Sequence, residues 1–152
     1  LRTYREVKKL IRANRIDIVH VHNTLPLVSP SVYYSAFACG KPVVQTLHNF
    51  RLLCPAAVFM RDGKVCEDCV NKWLKCAVRY RCYRNSRVQS LMSVAILTFH
   101  RFLGTYRRLF YICLTDFNRE KLLLLNRGGK KKRIVPEKVF VKPNFVKQSS
   151  LF

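Results

Sequence analysis

Two histidine–asparagine pairs, His22-Asn23 and His48-Asn49, each close a short run rich in β-branched residues. Thr115 and Asn144 end two later extended runs in the same manner. An imidazole can donate, accept or carry a proton near neutral pH, which suits a site that handles hydroxyls and phosphates. In an open parallel sheet such groups meet, because ligands bind at the carboxyl ends of the strands, where helix N-termini also point. Each residue also has a simpler reading as a cap or a turn, and for Thr115 and Asn144 that reading is preferred. His20 shares a strand face with His22 but stands two residues deeper, so it is expected to be a packed core histidine. His100 is expected to be structural as well.

A second constellation is thiol chemistry. Seven cysteines are present, and five of them fall between residues 51 and 87, including the CxxC of Cys66 and Cys69. Cys54, Cys66, Cys69 and Cys82 supply four thiolates, enough for a tetrahedral structural zinc. The nearby cations Lys64, Lys72, Lys75, Arg79 and Arg81 would favour thiolates. The spacing is irregular for a zinc ribbon or finger, so reduced, partly buried thiols stand beside the metal as an alternative. A redox pair at Cys66 and Cys69 ranks below both, since the CxxC does not open a helix after a strand. Cys39 and Cys113 fall in an expected helix and strand and read as core packing. Arg51 and the arginines that follow it could bind phosphate or form a solvated face.

The elements that must hold these groups follow from periodicity. Residues 2–13 repeat as a helix stopped by Asn14, and residues 16–22 read as a strand. Ser29-Pro30 offers a cap and a first-turn proline for a helix that Gly40 closes, and residues 43–48 form the next strand. Strand, helix and strand over this length make a crossover unit and hence a parallel sheet. Residues 51–87 break the rhythm as a cysteine-rich insertion with a turn at Asp62-Gly63. From Val88 the residues Leu91, Met92, Ala95, Phe99, Phe102, Leu103 and Tyr106 recur at helical spacing. That stripe is expected to pack on the sheet, with contact to an anionic membrane as the other reading. Residues 110–115 form a strand, and a helix capped by Thr115 or Asp116 runs to Gly128-Gly129. After a basic loop at 130–133, residues 138–143 form a last extended run. The fold class is α/β, a Rossmann-like parallel sheet with flanking helices.

The chain's 152 residues fit one domain, and a hydrophobic share of 49% excludes disorder. Its 29 Lys and Arg against 8 Asp and Glu leave a net charge of +21. That excess repels itself unless something anionic offsets it: nucleic acid, a membrane surface or phosphorylated small molecules. No apolar run approaches the roughly 20 residues that cross a bilayer. No signal-peptide plan opens the sequence, and the odd cysteine count suits a reducing compartment, so a cytoplasmic location is expected.

The ordered set DIVHVHNTLPLVSPSVYYSAFACGKPVVQTLHNFRLLCP, RDGKVCEDC, RCYRNS, FHRFLGTYRR, CLTDFNREKL and VKPNFV resembles the N-terminal domain of glycosyltransferase family 4, retaining enzymes of GT-B fold. The resemblance spans about residues 16–147. It implies two Rossmann-like domains facing a cleft, the N-terminal one receiving the acceptor and the C-terminal one binding a nucleotide-sugar donor. It places His48 in the cleft near the transferred sugar or acceptor, as the catalytic candidate, with His22 and Asn49 beside it. Asn23, Arg51, Thr115 and Asn144 complete the candidate substrate-binding set. No catalytic metal is implied, so any zinc would be structural. The family's first strand and glycine-rich loop are expected before residue 1, and its donor domain after Phe152, which would leave this chain inactive alone. The expected role is polysaccharide biosynthesis on a glycan or lipid-linked acceptor, at the inner face of a membrane. A rival from another class is a zinc-containing basic nucleic-acid-binding module. Against it, the basic residues are spread along the chain and the strand-end polar residues have no role.

Overall fold

The computed structural model describes residues 2–22, 30–127 and 132–144. Val43, Gln45, Thr46 and Leu47 of strand β2 (Val43–Leu47) are all buried, as a strand covered on both faces requires. β1 (Val19–Val21) lies parallel to one side of it, with Val21 opposite Gln45. β5 (Phe110–Cys113) lies parallel to the other, followed by β6 (Val139–Val141). The order β1-β2-β5-β6 advances one strand at a time, so all four carboxyl ends share one edge of the sheet.

Helix α1 (Arg2–Ala13) buries Ile11 and ends where the Asn14 side chain donates to the Leu10 carbonyl at 3.0 Å. Helix α2 (Ser31–Phe37) packs on α1, and the Ser35 hydroxyl donates to the Tyr4 carbonyl at 3.0 Å. Pro30 occupies the cap position itself, one residue earlier in the helix frame than expected, and Ser29 lies outside the described residues. Tyr33 of α2 donates its hydroxyl to Gln45 inside the core at 2.9 Å. Tyr111, Leu109, Leu122 and Ile134 fill the remainder. Cys113 is buried among them, as expected, and desolvation pushes its thiol up to about 11. Cys39 packs half-buried against the same cluster.

The insertion carries a hairpin, β3 (Met60–Arg61) and β4 (Lys64–Val65), turning through Asp62 and Gly63 with φ of 52° and 73°. Two positive φ values in a two-residue loop match the twist of the flanking strands. Two short helices follow, α3 (Asp68–Asn71) and α4 (Cys76–Arg79). Arg61 ties the segment together by an ion pair to Asp68 at 3.0 Å and by lying 3.8 Å over the Tyr80 ring. Lys121 pairs with Glu67, joining the insertion to the helix after β5.

Helix α5 (Arg87–Phe102) begins at a Ser86 cap whose hydroxyl accepts from the Gln89 N–H. Its orientation corrects the sequence reading. The buried residues are Ser90, Ser93, Leu97 and His100, while Val88, Leu91, Met92, Phe99, Phe102 and Leu103 are exposed. The reason is close approach: the Ser90 hydroxyl accepts from the Tyr83 N–H at 2.9 Å, which needs a small side chain on the inner face. His100 then sits in a buried network with Tyr34 and Thr105, its pKa lowered by burial. The helix stops before Gly104, at φ +67°, and a 3-10 turn (Thr105–Arg108) swings Tyr106 into the core. Helix α6 (Asp116–Leu123) is capped by Thr115, and its expected stop at Gly128-Gly129 lies outside the described residues. Among the described residues no helix is long and apolar enough to cross a membrane.

Candidate functional site

The parallel register of β1 and β2 brings the two strand-end histidines into contact. His22 Nδ1 and His48 Nε2 are 2.8 Å apart, and one step deeper His20 Nε2 and Thr46 Oγ1 are also 2.8 Å apart. Both pairs join residues 26 apart, so they form two rungs on one face of the sheet. The rings follow one another along it, His20 and His22 tilted with centroids 4.6 Å apart, and His22 and His48 stacked at 5.1 Å. A nitrogen-to-nitrogen bond needs one N–H and one lone pair, so the His22–His48 contact exists only while at least one ring is neutral.

His20 is exposed rather than packed in the core, which corrects its expected placement. β1 is only three residues long and stands at the edge of the described sheet, which leaves His20 more open than Thr46 on the central strand. Its pKa lies below the ordinary value, through desolvation first and the neighbouring His22 second. Thr46 was missed by sequence reasoning. The signal was present: the alternation His20-Val21-His22 is matched one strand later by Thr46-Leu47-His48.

The other candidates take structural contacts at the same edge. Asn49 accepts from the Arg51 N–H at 3.1 Å, a side-chain turn that starts the insertion. Arg51 turns back into its own loop, donating to the Pro55 carbonyl at 2.9 Å and lying 5.0 Å over the Tyr83 ring. Thr115 accepts from the Asn118 N–H at 3.1 Å as the cap of α6. Asn144 is exposed just past β6, where the Lys142 N–H reaches the Cys113 carbonyl at 2.9 Å. Asn23 lies outside the described residues. The histidines therefore touch, and Thr115 and Asn144 stand at the ends of the next two strands.

Among the four candidate metal ligands, Cys54 and Cys69 pair directly. The neighbouring Cys69 thiol, and after burial the backbone N–H groups of Phe59, Ala56 and Ala57, hold the Cys54 thiol well below its ordinary value. Ala57 and Phe59 adopt φ of 72° and 52°, a left-handed conformation that costs a non-glycine residue roughly 1–2 kcal/mol. The donated hydrogen bond from Cys69 outweighs burial and brings Cys54 down to about 6, while Cys69 is driven far up. Cys82 is raised by desolvation, then by Cys54 and Cys66. Among the described residues no group of three or more His, Cys, Asp or Glu is arranged to hold a metal ion.

This pair makes stability depend on pH. Between about pH 6 and the ordinary thiol range near 8.5, the folded pair holds one proton and the unfolded thiols hold two. Stability under reducing conditions therefore rises with pH through that window. Above it Cys69 keeps its proton while the unfolded thiol loses one, so stability falls again. Urea unfolding across this range should show a maximum near pH 8.5, and Cys54→Ala should flatten it. An unchanged profile in the variant would mean that the pair does not form.

Comparison with known proteins adds one finding. A family model described as Glycosyltransferase Family 4 matches residues 1–147. No curated protein and no solved structure matches the chain.

Proposed function

The chain belongs to glycosyltransferase family 4, and from that membership we propose that it is the acceptor-side domain of a retaining, nucleotide-sugar-dependent transferase. The observation that carries the reading is the bonded His22–His48 pair at the carboxyl edge of a parallel sheet, where ligands of such sheets bind. His48 is the catalytic candidate, exposed at the end of β2 with His22 holding one ring nitrogen. A paired imidazole is held in orientation, so its other ring nitrogen is presented to a sugar hydroxyl or a phosphate oxygen as donor or acceptor. Thr115 and Asn144 extend the same edge, and Asn49 shapes the loop that carries His48. The donor is bound mainly by a second domain, and no catalytic metal takes part. The transferred group is a hexose or similar sugar, and the acceptor is a glycan or a lipid-linked saccharide.

The test is a nucleotide-sugar hydrolysis and transfer screen on the full-length protein that carries this chain, run beside the chain alone. Turnover of a donor by the full-length protein supports the reading. No turnover by either, together with tight and salt-sensitive nucleic-acid binding, would replace it with the basic nucleic-acid-binding module.

A further inference from the structure

Three of the chain's four histidines stand together at the carboxyl edge of the sheet, and all three are exposed. The fourth, His100, is bonded inside its buried network with Tyr34 and Thr105. Neutral imidazole is the commonest side-chain ligand of transition metals, because it offers a lone pair without bringing a charge. Two such rings here aim their nitrogens at each other.

Distance decides which geometry fits. At a metal–nitrogen length of about 2.0–2.1 Å, two nitrogens held at a right angle lie about 2.9 Å apart, and two at a tetrahedral angle about 3.3 Å. His22 Nδ1 and His48 Nε2 are 2.8 Å apart. A square-planar or octahedral ion therefore needs almost no movement of the strands, and a tetrahedral one roughly half an ångström of opening. The strands are firm, since Val21 and Leu47, the neighbours of the two rings in sequence, are buried and Val21 is held in register against Gln45. The rings themselves lie in solvent and can turn about the Cβ–Cγ bond, so both lone pairs can converge on one ion. The proton that lay between them moves through solvent to the far nitrogen of its own ring, and both rings stay neutral.

The donor atoms select the class of ion. Among the described residues no third His, Cys, Asp or Glu is arranged to join the pair. Hard ions such as Mg²⁺ and Ca²⁺ call for oxygen ligands that the pair does not supply, whereas Ni²⁺, Cu²⁺ and Zn²⁺ take imidazole nitrogen. The net charge of +21 opposes every cation, so only an ion bound by lone-pair donation stays. We infer that His22 and His48 form a two-nitrogen site for a transition-metal dication of the nickel, copper or zinc class, which takes the place of the proton shared between the rings. Water or the oxygens of a bound anion fill the remaining positions of the ion. A metal on the pair leaves the far nitrogen of His48 as a donor only and crowds the sheet edge, so it inhibits the sugar transfer proposed above. The binding itself does not rest on that reading.

Nickel is the probe, because it accepts the right-angle geometry and does not oxidise thiols. Calorimetric titration of the chain with Ni²⁺, its thiols kept reduced by a phosphine, is expected to show binding that Mg²⁺ does not reproduce. His22→Gln and His48→Gln should each weaken Ni²⁺ binding at least about tenfold, since a chelating pair loses one of its two ligands. Both positions are exposed, and circular dichroism checks that the variants keep the fold. Cys54→Ala should leave the affinity unchanged. In the unaltered chain, paramagnetic Ni²⁺ should broaden the ring proton signals of His22 and His48 before those of His100. Affinity that is indifferent to both histidine variants, or broadening that spares these two rings, would overturn the inference. Binding lost in Cys54→Ala, with sulfur-to-nickel charge-transfer absorption, would assign the ion to the thiols and overturn it too. Sugar transfer by the full-length protein is assayed separately: no transfer while the pair still binds Ni²⁺ sinks the transferase reading alone, and transfer without Ni²⁺ binding sinks this inference alone.

Discussion

His48→Ala in the full-length protein is expected to lower sugar transfer by about a hundredfold or more, the usual contribution of a positioned acid–base or hydrogen-bonding group. The same change should leave stability nearly untouched, because His48 is exposed and its hydrogen bond is to another exposed ring. His22→Ala should cost less, about tenfold, since it removes the partner that orients the His48 ring rather than the reacting group. The order of the two effects is itself informative. If His48 acts and His22 positions, the double variant resembles His48→Ala alone, as residues working as a unit are not additive. Turnover that is unchanged in His48→Ala would remove this residue from the site and leave the paired histidines as a structural rung.

The edge that carries these residues was legible because strand reading needs little context. β-branched runs at 19–21 and 43–47 and an aromatic run at 110–113 formed strands, and a crossover between strands forces parallel pairing. Once the strands are parallel, His22 and His48 must emerge at one edge. Their direct contact needed the register, which the spacing of residues does not state. The burial of His20 was misjudged for a related reason: depth along a strand predicts cover only if a neighbouring layer exists on that face. The thiol pair of Cys54 and Cys69 was not legible at all. It depends on left-handed backbone at Ala57 and Phe59, and neither residue type announces that conformation in a sequence.

Leu97→Ala is expected to destabilise the fold by about 3 kcal/mol, whereas Phe102→Ala should cost less than about 0.5 kcal/mol, although it removes the larger side chain. Leu97 is 1% exposed within the core cluster, so its loss leaves a cavity that packed neighbours fill only in part. Phe102 is 87% exposed, so its loss removes almost no buried area. Thermal unfolding of the two variants checks this, the first expected to lower Tm by roughly 6–12 °C at this chain length. The reverse ranking would place the apolar stripe in the core, as helical periodicity alone suggested. Period identifies that a helix has two faces; only the packing partner decides which is inside. On α5 that decision falls to Ser90 and Ser93, whose small side chains admit the insertion and turn the larger apolar residues outward.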